Sequence, residues 1–265
     1  MMKARRQPSR PWPARARRAL CRPGLWLAVS LAAVAPGLAA SDPVEARYAE
    51  PTTRYPHGVL GDDVENAALE VVRADGRVLR LRWPDTIVFE DTAPRLADLD
   101  GDGKAEVIVV ESHERQGARL AVYGIFGDVL ALRAATPFIG TRFRWLAVVG
   151  AGDLDGDGVA EIAYVDRPHL AKTLRIWRYA ADGATVTLAP VGALPGVTNH
   201  RIGEVDIAGG LRDCGAGPEM IVASADWRRV LALTFDGSDI TQRDLGAHAG
   251  RGSFATALEC GDLPD

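Results

Sequence analysis

Two acidic runs with one spelling constrain this chain more than anything else in it. Asp98 to Glu106 reads Asp-Leu-Asp-Gly-Asp-Gly-Lys-Ala-Glu, and Asp153 to Glu161 reads Asp-Leu-Asp-Gly-Asp-Gly-Val-Ala-Glu, 55 residues later. Carboxylates at loop positions 1, 3, 5 and 9 place hard oxygen donors around one point. The glycine at position 6 permits the sharp turn, and the carbonyl at position 7 can add a further ligand. That is the donor set calcium prefers. Asp and Gly also build ordinary solvated turns, but two copies in one register crowd carboxylates that repel without a cation. An EF-hand does not fit. Its twelfth loop position should be a bidentate Glu, where this chain has Val109 and Tyr164, and its flanks should be helical. Here each loop runs into a β-branched segment, Val107-Ile108-Val109-Val110 or Ile162-Ala163-Tyr164-Val165. The loops therefore sit between strands.

Residues 1–40 read as a targeting segment and 41–54 as a polar N-terminal stretch before the folded domain, 55–265. The first 24 residues hold Lys3, Arg5, Arg6, Arg10, Arg15, Arg17, Arg18 and Arg22 and no acid. An apolar run from Leu25 to Val34 follows, then small residues ending at Ala39-Ala40. This is a signal peptide pattern with the cut after Ala39 or Ala40, an uncleaved anchor being the alternative. Removing it takes eight of the 31 Lys and Arg and none of the 35 Asp and Glu, leaving about −12. Such a balance argues against nucleic acid as partner and suits a chain neutralised by divalent cations. A periplasmic or secreted location follows, with no membrane span after cleavage.

The rest repeats. Second strands of successive units are expected at Leu69–Val72, Glu106–Val110, Glu161–Val165 and Glu219–Ala223, and third strands at Val78–Trp83, Arg119–Tyr123, Leu174–Tyr179 and Val230–Phe235. Fourth strands follow at Thr86–Glu90, Val129–Arg133, Val186–Val191 and Ile240–Leu245. First strands are read at Arg95–Leu99, Trp145–Gly150 and His200–Val205, with a fifth at Phe254–Glu259 that would close a ring. Alternation, β-branching and turns such as Ala74-Asp75-Gly76 favour strands, and no amphipathic helix stands out. Four strands in each period of about 55 residues mark an all-β chain, a β-propeller of four to five four-stranded blades.

The Asp-x-Asp-x-Asp-Gly-x-x-Glu loop inside a four-stranded repeat resembles the FG-GAP/VCBS repeats of integrin α-type propellers. The resemblance implies a calcium loop between the first and second strands of a blade. Its side-chain ligands would be Asp98, Asp100, Asp102 and Glu106 with the Lys104 carbonyl, and Asp153, Asp155, Asp157 and Glu161 with the Val159 carbonyl. Glu stands at position 9, where that family often has Asp. The first and fourth units keep only outer acids, Asp62 with Glu70 and Asp206 with Glu219, so metal is expected in the middle two units alone.

No Gly-x-Ser-x-Gly, His-Glu-x-x-His or Cys-x-x-Cys is present. If strands run outward from the centre, the face opposite the acidic loops collects His113, Arg115, Arg142, Arg144, Asp166, Arg167, His169, Asn199, His200, Arg201, Asp226, Trp227 and Arg228. Three readings stay open for it: a binding or adaptor surface for a protein or glycan, a hydrolase or lyase site, or inter-blade ion pairs without further role. Beyond residue 40 only Cys214 and Cys260 remain. In an exported chain this predicts a disulfide in place of the fourth unit's metal, two free thiols being the alternative.

Overall fold

The computed structural model describes residues 43–182 and 185–265; the signal segment lies outside them. The chain begins with β1 (Pro43–Thr52), β2 (Glu65–Arg73), β3 (Val78–Arg82), β4 (Ile87–Phe89) and β5 (Arg95–Ala97). Next come β6 (Glu106–His113), β7 (Gly117–Phe126), β8 (Val129–Ala135), β9 (Leu146–Gly152), β10 (Glu161–Asp166), β11 (Thr173–Asp182) and β12 (Thr185–Pro195). Last are β13 (Val197–Thr198), β14 (Gly210–Asp213), β15 (Pro218–Ser224), β16 (Arg229–Phe235), β17 (Ile240–Ala247) and α1 (Arg251–Leu258).

Every neighbouring pair is antiparallel, the up-and-down meander of propeller blades. Blade three is complete, in the order β9-β10-β11-β12. Blades two and four have the same plan with the first strand broken in two. β4 pairs with the far end of β6 and β5 with its near end. β13 and β14 divide β15 in the same way. The predicted first strand at His200–Val205 is therefore corrected. Residues 199–209 bulge between the two pieces, and the amide of Gly203 reaches across to the Val59 carbonyl at 3.0 Å.

Blade one is shifted against the sequence reading. β1 is ten residues long within the stretch read as a polar segment before the folded domain, and β2 lies between β1 and β3. The β2–β3 turn sits beside the β7–β8 turn, with Arg73 Nη1 2.5 Å from Asp128 Oδ1. β2 and β3 thus act as third and fourth strands. The segment assigned as a fourth strand, β4, instead opens blade two. Its Val88 and Phe89 are buried, which favours a central place over the rim.

Packing lies between blades. Leu69, Val71 and Phe89 meet Val107, Val109 and Tyr123. Ile108, Val110 and Leu120 meet Trp145, Leu146 and Ile162. Ala163, Val165 and Ile176 meet Met220, Val222 and Leu233. A strand buried on both faces reads as an unbroken apolar run, as β6 and β10 do.

The ends differ. On blade one the outer face is a ladder of ion pairs: Arg47 with Glu70, and Arg80 with Glu70 and Glu50. On blade four the outer face is apolar, and α1 covers it with Phe254 and Ala257 against Ile221, Ala223, Val230 and Ala232. The expected ring-closing strand at Phe254–Glu259 is thus a helix. Arg-Gly-Ser-Phe-Ala-Thr-Ala-Leu has little β-branching, and its one aromatic residue is used as a lid. Among the described residues the sheets do not close into a ring.

The expected Cys214–Cys260 disulfide is formed, with Cα atoms 5.9 Å apart. Cys260 follows α1 and Cys214 lies in the β14–β15 turn, so the bridge fastens the helical lid to its own blade rather than sealing a ring. Its loop spans 46 residues, and removing it should cost about 4 kcal/mol at most. Cys214→Ala with Cys260→Ala should therefore lower the urea midpoint without changing the strand signal in circular dichroism; coincident curves would contradict the assignment.

Candidate metal centres

Both acidic loops fold alike, and the reason is local. Asp98 accepts from the amides of Gly101 at 2.9 Å and Gly103 at 3.0 Å. Asp153 does the same with Gly156 at 2.7 Å and Gly158 at 3.0 Å. Gly103 and Gly158 have φ of 84° and 88°, the left-handed region that glycine enters without a Cβ clash. The leucine at position 2 is buried, and its amide donates to the position 9 glutamate at 3.0 Å in both loops. This pins the start of the loop to the start of β6 or β10.

Asp98, Asp100 and Glu106 consequently bring one oxygen each within 4.8 Å of one another, as do Asp153, Asp155 and Glu161. An ion bonded at 2.3–2.6 Å separates opposed ligands by about 5 Å, so the spacing fits calcium. The fifth-position acids stand apart from these groups of three. Asp102 accepts from the amide and Nζ of Lys104, both at 2.8 Å. Asp157 accepts from the Val159 amide at 2.8 Å and lies 3.2 Å from Arg178 Nη2.

Two arginines unnoticed in the sequence pair with the acids of these loops. Arg133, on β8, lies 3.3 Å from both Asp100 and Glu106. It reaches them by crossing Gly124, where a Cβ would lie 2.6 Å from the arginine Cδ. Arg178 is directly opposite Glu161 across the β10–β11 pair. It holds Glu161 at 2.7 Å and also pairs with Asp155. Burial, with Asp100 and Asp102 nearby, pushes the Glu106 carboxyl up to about 7. Burial also raises Glu161, against the lowering effect of Arg178. The second loop is thus the better neutralised by its own protein. Nothing in a linear reading marks Arg133 or Arg178, because only strand register places them.

Register also relocates the fourth loop. Arg212 is opposite Glu219 as Ala97 is opposite Glu106 and Gly152 is opposite Glu161. Asp213, not Asp206, therefore takes the place of Asp98, and it accepts from Gly215 at 2.7 Å and Gly217 at 3.2 Å. The turn is too short for further acids, and Arg212 at 2.7 Å and Arg243 at 2.5 Å hold Glu219. Asp206 and Glu204 pair with Arg251. In the first unit, Glu70 belongs to the outer ion-pair ladder, and Asp62 only caps the Val64 amide at 2.8 Å.

The opposite face gathers much of the predicted set. A cleft of about 30 Å³ is lined by His57, Phe143, Arg144, Trp145, Arg167, His169 and Leu170. His169 Nε2 lies 3.0 Å from His200 Nδ1, and His200 Nε2 lies 2.8 Å from the Glu204 carbonyl. Burial, with His200 and His57 nearby, takes His169 down to about 4, and burial also lowers His200. Asn199 donates to the Ala147 carbonyl at 3.2 Å. Arg142 stacks on Phe143 at 4.4 Å and Arg201 on Trp227 at 4.3 Å. Asp166 is held at 2.8 Å by both Arg167 and Arg175, and Asp226 lies 3.4 Å from Arg228. His113 and Arg115 form their own group at the β6–β7 turn, with Phe138 against the imidazole. Four of the non-glycine residues with positive φ, Phe143, Arg167, Lys172 and Trp227, lie in these loops.

His57 and Glu90 are the members that the sequence reading passed over. Glu90 is fully buried, 2.5 Å from His57 Nδ1, and accepts from the buried Ser112 hydroxyl. Ser112 thus donates to a buried carboxylate that also meets an imidazole.

Comparison with known proteins decides the repeat. Residues 98–164 match the FG-GAP-like repeat. This stretch of the chain is an FG-GAP-like repeat. The match spans both acidic loops and the strands between them. No curated protein matches the chain. Among solved structures, the WD40 domain of SCAP from fission yeast is similar at 10% identity and a TM-score of 0.40, over 80% of this chain and 44% of that one. An exo-β-1,3-galactanase from Phanerochaete chrysosporium is similar at 12% identity and a TM-score of 0.40, over 78% and 51%. The chain spans about half the length of these structures.

One buried acid gives a pH-dependent prediction. Glu65 is 3% exposed, and burial, with Glu90, Asp62 and Asp91 close, raises its pKa well above the carboxylate range. The folded state therefore keeps a proton that the unfolded chain releases above about pH 4.5. The stability from that proton is present at low pH and is lost as pH rises toward the folded-state pKa. Glu65→Gln should stabilise the protein at pH 8 by about 1–3 kcal/mol and change little at pH 4. Urea titrations at the two values check this, and equal shifts would contradict it.

Proposed function

We propose that this chain is an exported, calcium-stabilised β-propeller module that binds a protein or glycan with the face opposite its acidic loops. The observation carrying the calcium part is the convergence of Asp98, Asp100 and Glu106, and of Asp153, Asp155 and Glu161, to a span that one ion would fill. Calcium would supply the positive charge that lets first and second strands of a blade hold a carboxylate cluster at their junction. Asp102, Asp157 and the carbonyls of Lys104 and Val159 are the remaining candidate ligands. The chain's own part is visible in the buried leucine and glutamate that fix each loop, and in the arginine set behind it. A periplasmic or secreted location is supported by the disulfide, which persists in oxidising compartments.

Binding that favours the folded state raises stability by mass action. Calcium should therefore add about 2–4 kcal/mol per site, seen as a higher melting temperature than in chelator. Asp100→Asn should remove one site's share and leave the other, because the loops lie in separate blades. Melting curves that coincide with and without calcium would refute the proposal.

The arginines make the two sites unequal. Arg178 contacts three acids of its loop more closely than Arg133 contacts two, so it competes more strongly with an ion. Calorimetric titration should resolve a tighter site at Asp98–Glu106 and a weaker one at Asp153–Glu161. Arg178→Met should tighten the weaker site about tenfold; unchanged affinities in that variant would contradict this ranking.

A further inference from the structure

The described arginines are almost completely committed to internal partners. Every described arginine has an aspartate or glutamate oxygen within 4.0 Å except Arg142, Arg144 and Arg201. All three lie on the face opposite the acidic loops. Lys172 is there too, donating to the Ala225 carbonyl at 2.6 Å. In a chain with about −12 beyond its first 40 residues, uncommitted cations confined to one face are not a by-product of composition.

Their surroundings indicate what they would pair with. The guanidinium carbons of Arg142 and Arg201 lie over the Phe143 and Trp227 rings, 4.4 Å and 4.3 Å from the centroids. Stacking uses the face of a guanidinium and leaves its in-plane N–H groups free to take a carboxylate side-on. The acids of this face are already occupied: Asp166 by Arg167 and Arg175, Glu204 and Asp206 by Arg251, and Asp226 by Arg228. Asp62 and Asp63 remain, at the blade-one margin where Gly61 abuts Val205.

Two further features separate a protein ligand from a sugar. Phe143 is stacked on by Arg142 and by His57, the latter with ring centroids 5.0 Å apart, and Trp227 carries Arg201. Each ring therefore has at least one face already taken before a pyranose could stack on it. Leu170, Ile202 and Val205, in neighbouring loops, are 62%, 71% and 74% exposed, and arginine set against aromatic rings is a combination enriched at protein interfaces.

We infer that this face docks an acidic, aliphatic segment of a partner protein, whose carboxylates pair with Arg142, Arg144 and Arg201 and whose apolar side chains cover Leu170, Ile202 and Val205. The inference rests on the binding-module proposal and narrows its ligand to a protein.

The test uses the full chain in calcium buffer and a fluorescent synthetic peptide of alternating glutamate and leucine. An otherwise identical peptide of glutamine and leucine and a polygalacturonate sample are run beside it. The glutamate peptide should bind, weaken as salt is added, and lose about tenfold or more in affinity to the triple variant Arg142→Gln, Arg144→Gln, Arg201→Gln. Because Arg142 and Arg201 are exposed, their single variants give the same comparison if the triple variant does not fold. Equal binding of the glutamine peptide, an unaffected variant, absence of peptide binding, or binding of polygalacturonate in its place would each overturn the inference. Calcium-dependent melting of the same variant is read separately. If it persists, a failed peptide experiment refutes the ligand and leaves the calcium-stabilised module standing.

Discussion

A glutamate buried at the start of a central strand is the constraint on which the rest of the structure turns. Glu106, Glu161 and Glu219 occupy that position in three successive blades, each largely removed from water. A buried carboxylate is costly unless it is paired and hydrogen-bonded. Each blade meets this requirement differently. Blade two brings Arg133 from its outermost strand across a glycine. Blade three places Arg178 directly opposite in register. Blade four abandons the long acidic loop, encloses Glu219 between Arg212 and Arg243, and ties the shortened turn to the segment after α1 with a disulfide. The three solutions form a graded series, from a loop with surplus negative charge to one neutralised by arginine alone.

The same economy governs the ends of the array. Blades that pack face to face leave two outer faces without a neighbour, and each must be made compatible with water. Blade one is finished with alternating arginine and glutamate across three strands, pairs that contribute little energy individually but leave no apolar patch. Blade four keeps apolar residues on its outer face and is finished with a helix. The disulfide belongs to the second solution, because a short helix packed through few side chains is held more securely by a covalent tie.

Charge is therefore separated between the faces. Acidic loops and their arginines dominate one. On the other, neutral imidazoles, a buried Glu90 and stacked guanidiniums are brought together by the long connections after β1, β8 and β13. Positive φ at Phe143, Arg167 and Trp227 shows backbone held in sparsely populated conformations by its surroundings, a feature that tends to concentrate at ligand-binding positions.

Much of this was legible in the chain. The twin acidic loops, the strands that follow them, the all-β repeat and the cysteine pair are local patterns, set by glycine conformational freedom, β-branching and spacing. They hold wherever the segment lies. Blade phase was not local. The sequence places residues 86–90 as the last strand of one blade, and only the burial of Val88 and Phe89 between neighbours makes them the first of the next. Asp206 matched the repeat spacing, but strand pairing gave its role to Asp213, because a bulge of about ten residues moved the register. Phe254–Glu259 reads as a strand by repeat spacing, and the uncovered apolar face of blade four made it part of a helix. The sequence by itself determined the repeating unit and the acids that could meet a cation. The tertiary structure decided which arginines already meet them, because pairing across strands depends on register, and register is fixed only when every buried face has found its partner.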